Sequence, residues 1–95
     1  MIYNFSISPK AIKEIQESGD WYEEKQIGLG YRFETQVAAK IESVRSNPFH
    51  YPLKGKYREA NLPDFPFLIL YEIDEVYKAI TIASVFHTSR HPNKK

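Results

Sequence analysis

The sequence predicts an α+β fold: an N-terminal strand, an antiparallel two-helix hairpin, and a small, mainly antiparallel sheet on which the hairpin packs. Three observations lead there. Leu29, Phe33, Val37, Ile41 and Val44 recur at spacings of four, four, four and three, which lays one apolar stripe along a helix. Phe67 to Ile73 and Lys78 to Phe86 repeat instead at period two on either side of Asp74-Glu75, as the arms of a β-hairpin do. Only Gly28-Leu29-Gly30 separates the striped helix from the one before it, a connection so short that the two helices run antiparallel.

Taken in order, Ile2-Tyr3-Asn4-Phe5-Ser6-Ile7 alternates as a first strand, and Ser8-Pro9 starts a helix, serine as N-cap and proline at the first helical position. That helix runs from Lys10 to roughly Lys25, with Ile12, Ile15 and Tyr22 near one stripe and Ala11 and Trp21 flanking it. Gly19 inside it weakens it by about 1 kcal/mol. Asn47-Pro48 ends the second helix, because proline cannot continue one. After Pro52 the period falls to two. Phe67, Ile69, Tyr71 and Ile73 line one face of their strand while Leu68 and Leu70 make the other apolar, which predicts a central position in the sheet. Pro92 to Lys95 reads as a frayed tail.

A chain of 95 residues with 42% hydrophobic and 15% aromatic content supports one packed core, so residues 1–95 are expected to form a single domain. Without cysteine there is no disulfide framework, thiolate zinc site or cysteine nucleophile, and a reducing cytoplasm suits the chain. The N-terminus lacks a charged head followed by a long apolar run, and no window approaches the roughly 20 apolar residues of a membrane span. A soluble, unprocessed protein is expected. The net charge of +1 removes the global basic excess of a dedicated nucleic-acid binder, so any such role rests on local clusters.

Two clusters could carry chemistry. On a strand, Lys54, Lys56 and Arg58 would share one face at intervals of roughly 6 to 7 Å, a row that attracts a phosphate backbone or an acidic peptide, with Tyr51 or Tyr57 nearby for stacking. The same row also serves an edge strand that uses lysines to discourage aggregation. In the second cluster, His87 and His91 are of the residue type that can exchange protons at neutral pH, and Arg90 could hold a phosphate or a developing negative charge, a set able to cleave RNA by proton transfer. Alternatively the histidine bonds a backbone carbonyl at a strand end and Arg90 is solvated or caps a helix. No helical His-Glu-x-x-His and no third ligand accompany His87 and His91, so neither metal nor cofactor is expected. Asp20, Glu23 and Glu24 read as a solvated helix face, Gly28-x-Gly30 as a turn, and Trp21, Tyr22 and Tyr31 as the seam of the helical hairpin.

An ordered series of short motifs spans nearly the whole chain: Ser8-Pro9-Lys10-Ala11, Trp21-Tyr22-Glu23, Gly28-Leu29-Gly30 before Phe33, Asn47-Pro48 with Tyr51-Pro52, Phe65-Pro66-Phe67 to Tyr71, and Val85-Phe86-His87 with Arg90 and Pro92. In this series the chain resembles the toxins of type II toxin-antitoxin systems of the RelE/ParE superfamily, often labelled plasmid-stabilisation proteins. The resemblance implies two helices on a small antiparallel sheet, growth inhibition, and neutralisation by a co-expressed antitoxin in a hetero-oligomer. It also implies one of two targets: the ribosome with its mRNA, cut by RelE-like members without a metal, or DNA gyrase, poisoned by ParE-like members that are not nucleases. For a nuclease the counterparts here are His87 as general acid or base and Arg58 or Arg90 for the phosphorane-like charge; Lys54, Lys56, Arg58 and Arg90 are the counterparts for binding nucleic acid or antitoxin. Leu68 stands where many members place an arginine, no tyrosine follows Arg90, and Lys94 replaces a frequent tryptophan. The first two departures, with the modest net charge, favour the gyrase route.

Overall fold

The computed structural model describes residues 3–89; the expectations placed on Ile2, Arg90, His91, Pro92 and the tail through Lys95 fall outside them. Strand β1 (Asn4–Ile7) leads into helix α1 (Pro9–Lys25), α2 (Leu29–Ser46) returns antiparallel, and β2 (Leu53–Lys54), β3 (Tyr57–Asn61), β4 (Phe67–Asp74) and β5 (Ala79–His87) complete the fold. The five described strands form one sheet in the order β1-β5-β4-β3-β2. β4 is therefore the middle strand, as its two apolar faces predict. All pairings are antiparallel except the outermost, where β1 runs parallel to β5 with Phe5 beside Ile80 and Ile7 beside Ile82.

The stripe of α2 buries Phe33, Val37, Ile41 and Val44 against Phe67, Ile69 and Tyr71 of β4 and Ile80, Ile82 and Val85 of β5. In α1 the inward face differs from the expected one. Ala11 and Gly19 are buried and Ile15 and Tyr22 pack on the core, whereas Ile12 and Trp21 remain 44% and 42% exposed. Two adjacent apolar positions, 11 and 12, compete for one stripe, and the small alanine wins because it lets the helix lie close to the sheet. Tyr22 stacks among Phe33, Phe65 and Phe67 at centroid distances of 5.3, 4.9 and 6.1 Å, while Tyr31 stands 75% exposed and takes no part in the seam.

Helix α1 also shields a sheet edge. β1 covers β5 only as far as Ile82, and from Ala83 onward β5 would present unpaired backbone groups on that side. Side chains of α1 take over. The N-cap Ser8 Oγ accepts from the Ala11 N–H at 3.1 Å and donates to the Ala83 carbonyl at 2.9 Å, and Glu14 Oε1 accepts from the Val85 N–H and the Ser84 hydroxyl, both at 2.8 Å. A bulge at this point, with Ala83 unpaired between the Leu70–Ser84 and Tyr71–Ile82 pairs, turns the edge toward the helix.

Where the two helices cross, Gly30 faces the Gly19 carbonyl oxygen within a distance that no Cβ on Gly30 could share. Gly28, the N-cap of α2, has φ +89° and no side-chain acceptor of its own; the Leu29 N–H bonds the Gln26 carbonyl at 3.0 Å, and the Gly28 and Gly30 N–H groups are left to Glu23.

Candidate functional site

Among the described residues the sheet has one face under the helices and one open face. Tyr57 and Glu59 of β3, Leu68, Leu70 and Glu72 of β4, and Phe86 of β5 fall on the open side by alternation from the buried Ala60, Ile69, Tyr71 and Val85. Between α1 and this face lies a depression of about 430 Å³ walled by Tyr57, Leu70, Ala83 and Phe86, with Lys10, Glu14 and the buried Ser84 on one side. Its centre is apolar and its rim is charged.

The basic row expected at residues 54 to 58 does not exist as a row. Gly55, at φ +64°, makes a two-residue turn with Lys56 between β2 and β3, so Lys54 pairs with Tyr57 across a hairpin instead of following on one strand. Lys54 lies on the open side with its Nζ 3.7 Å from Glu59, and Lys56 leaves the turn with its Nζ 3.9 Å from Glu72. Lys10 adds a third pair, 3.0 Å from Glu14. Each exposed pair is worth little in stability, but three glutamates beside three lysines cancel the field that a phosphate backbone would need.

Arg58 points the other way. It pairs with Leu53 and Tyr71, and its guanidinium donates to the Tyr51 carbonyl at 2.7 Å and to the Phe49 carbonyl at 3.4 Å while stacking on the Phe49 ring. It thereby ties the loop after α2 to the sheet. Tyr71 beside it donates its hydroxyl to the Pro48 carbonyl at 2.7 Å; burial pushes its pKa up to about 12 against the opposing pull of the Arg58 charge.

His87 also sits on the helix side. Its ring meets Phe67 edge-on at 5.2 Å, its Nδ1 accepts from the Ser89 N–H at 3.1 Å, and with Ser18, Trp21 and Tyr22 it lines a small cavity of about 80 Å³. Arg58 and His87 pair with positions four residues apart on β4 and on opposite sides of it, which separates their Cα atoms by about 16 Å. Thus Lys54 and Lys56 share the open face, while Arg58 and His87 lie apart beneath it. Arg90, the remaining member of both expected sets, is outside the described residues.

Sequence reasoning missed the role of Glu23. Its carboxylate accepts from the Gly28 N–H at 2.8 Å and the Gly30 N–H at 2.9 Å, and these bonds, Gly28 first, hold its pKa below the usual carboxylate value. The acid nominally on a solvated face therefore caps the next helix, where the positive end of the helix dipole favours it. Its spacing before a glycine N-cap, which has no acceptor of its own, was the available signal. Among the described residues no group of three or more His, Cys, Asp or Glu could hold a metal ion, and no helix is long and apolar enough to cross a membrane.

A family model described as "ParE toxin of type II toxin-antitoxin system, parDE" matches residues 5–92. No curated protein matches the chain in sequence. In structure it is similar to the chromosomal ParDE toxin-antitoxin system of P. aeruginosa, with TM-score 0.76 and 14% identity over 90% of this chain and 96% of that one. It is similar as well to the intact E. coli RelBE toxin-antitoxin complex, with TM-score 0.68 and 18% identity over 90% of this chain and 95% of the other. For the RelBE2 complex of Mycobacterium tuberculosis the TM-score is 0.61 at 14% identity, over 92% and 99% of the two chains. At these identities the solved structures establish the fold, two helices on a mixed sheet with an N-terminal strand.

Proposed function

The chain belongs to the ParE toxin family of type II toxin-antitoxin systems, and from that premise we propose that it stops growth by a ParE-like action on DNA gyrase and is neutralised by a cognate antitoxin bound across its open sheet face. One observation carries the choice of route: the open face is apolar at its centre and charge-balanced at its rim, and Arg58 and His87 do not converge on it. A nuclease of this size would need donors and a proton carrier within hydrogen-bond reach of one phosphate. A protein partner needs what the face offers. Tyr57, Leu70 and Phe86 can take its apolar side chains, and Lys54 and Lys56 can exchange Glu59 and Glu72 for carboxylates of the incoming segment. Antitoxin tails that fold on contact wrap such surfaces economically. The complexes with antitoxins among the similar structures support this partner class.

The test uses purified protein in two reactions, supercoiling by DNA gyrase and mRNA cleavage on programmed ribosomes. Inhibition of supercoiling with intact mRNA is the expected result. Cleaved mRNA with unimpaired supercoiling would replace this reading by the RelE-like one, with His87 as proton carrier, and inactivity in both would point to a protein-binding module on the same scaffold.

A further inference from the structure

The two edges of the sheet are defended unequally. On one side β2 is two residues long, follows Pro52 and carries Lys54, with Lys56 in the adjoining turn. Short length, proline and lysine are the means by which an edge strand avoids pairing with another chain. On the other side β1, Asn4-Phe5-Ser6-Ile7, has no charge, no proline and no bulge in its register with β5. The Asn4 N–H bonds the Lys78 carbonyl at 2.8 Å and the Ser8 N–H bonds the Ile82 carbonyl at 2.9 Å. The backbone groups of Asn4, Ser6 and Ser8 therefore face β5, and those of Phe5 and Ile7 face outward. Among the described residues nothing bonds these outward groups. The side chains of Phe5 and Ile7 pack on the core yet are only half-buried, while Asn4 and Ser6 are exposed.

We propose that the β1 edge is a self-association surface, at which a second copy of this chain pairs its own β1 antiparallel across a two-fold axis. Symmetry and register select this occupant. Outward backbone groups must meet outward groups. The register that keeps every such pair within β1 sets Phe5 opposite the partner's Ile7, Ile7 opposite the partner's Phe5, and Ser6 opposite the partner's Ser6 on the axis. On the helix side each Phe5 then lies beside an Ile7, an aromatic and β-branched pair that covers the half-buried edge of the core. On the open side Asn4 and Ser6 meet only serines. A disordered segment of another protein fits less well, because ordering each of its residues costs about what one ladder bond returns, whereas the β1 of a second copy is already extended. The net charge of +1 adds little repulsion between copies. The axis stands perpendicular to the sheet, so pairing doubles the five-stranded sheet and leaves both open faces on one side. That both faces would then receive antitoxin from one direction rests on the reading above; the pairing itself does not.

Sedimentation of the purified full chain from about 5 to 500 µM should show a reversible monomer–dimer equilibrium with a Kd on the order of 100 µM, weak because so short an edge buries far less than the roughly 800 Å² per partner of a stable complex. Ser6→Lys sets two ammonium groups opposite each other on the exposed side and should raise the Kd at least about tenfold. Gln16→Lys, with the same charge on the exposed face of α1, should leave it within about twofold of the parent. A thermal midpoint within a few degrees of the parent shows that each variant is folded. Because the chain has no cysteine, Ser6→Cys reads the register. Its Cα stands roughly 4.5 Å from its mate, within disulfide range, so mild oxidation should give a covalent dimer. Asn4→Cys, about 13 Å from its mate along the strands, should give little. A chain still monomeric at about 500 µM, a dimer that Ser6→Lys leaves intact, or equal cross-linking by the two cysteine variants would each overturn the proposal. Gyrase inhibition depends on none of these outcomes, so the two readings fail separately.

Discussion

Replacing Gly30 by alanine opposes two rules of helix stability in a single methyl group. By intrinsic propensity the change should stabilise α2 by about 1 kcal/mol, since glycine is the poorer helix former. The contact at the helix crossing reverses the sign. A Cβ at position 30 would collide with the Gly19 backbone oxygen and stand 3.0 Å from both Cβ and Oε1 of Glu23, the carboxylate that caps α2. Backbone cannot swing aside as a side-chain end can, so α1 and α2 must separate, at an overpacking cost of about 1 to 3 kcal/mol, and the Glu23 cap on the Gly30 N–H weakens as they do. Set against the propensity gain, overpacking leaves a net loss of up to about 2 kcal/mol, a fall in the thermal midpoint of up to roughly 15 °C for a domain of this size. Gly19→Ala is the internal control. The three atoms nearest its Cβ all belong to the Glu34 side chain, Oε2 first at 2.5 Å, and that side chain can move into solvent, so stability should stay within about 1 kcal/mol of the parent or rise. Thermal unfolding followed by circular dichroism reads both. A Gly30→Ala midpoint equal to or above the parent's would refute the crossing geometry.

Three further outcomes follow from the same structure. Glu14→Ala removes the acceptor for the Val85 N–H and the Ser84 hydroxyl, so it should cost about 1 to 3 kcal/mol and speed amide exchange at Val85 while exchange at Ile69 follows only the global loss. Tyr71→Phe leaves the Pro48 carbonyl without its 2.7 Å donor and should cost about 1 to 2 kcal/mol by urea unfolding; in the parent, an absorbance titration should find one tyrosine that ionises near pH 12. Because the folded-state pKa of Glu23 lies below its usual value, its contribution is complete above the unfolded pKa and is lost as pH falls through the folded one; Glu23→Gln should flatten this acid limb of the stability curve and leave the alkaline limb unchanged.

Much of this architecture was legible in the sequence because the signals were local and redundant. Ser8-Pro9, the Leu29 to Val44 stripe and the doubly apolar β4 each state their structure through periodicity or capping chemistry, and all three elements form as expected. The family resemblance, too, agrees with the matched family model. Failures came where one pattern serves two conformations. Lys54-Gly55-Lys56-Tyr57-Arg58 alternates equally well as a strand and as two strands joined at Gly55, and only the positive φ of that glycine separates the lysines from Arg58. At Ala11 and Ile12 hydrophobicity favoured the larger residue, but close packing selected the smaller one. The partnership of Glu14 with Val85 spans 71 positions, and no local pattern announces it.

The central claim is that this toxin acts by a gyrase route and not as a ribosome-dependent nuclease, and the order of events after its induction in a bacterium tests it most directly. Cells are sampled together for induction of the DNA-damage response and for cleavage of a reporter mRNA, with the parent chain and with His87→Ala. The account predicts DNA damage first, mRNA intact at that time, and the same order for the variant. Cleaved mRNA that precedes any DNA damage, and that disappears with His87→Ala, would contradict it.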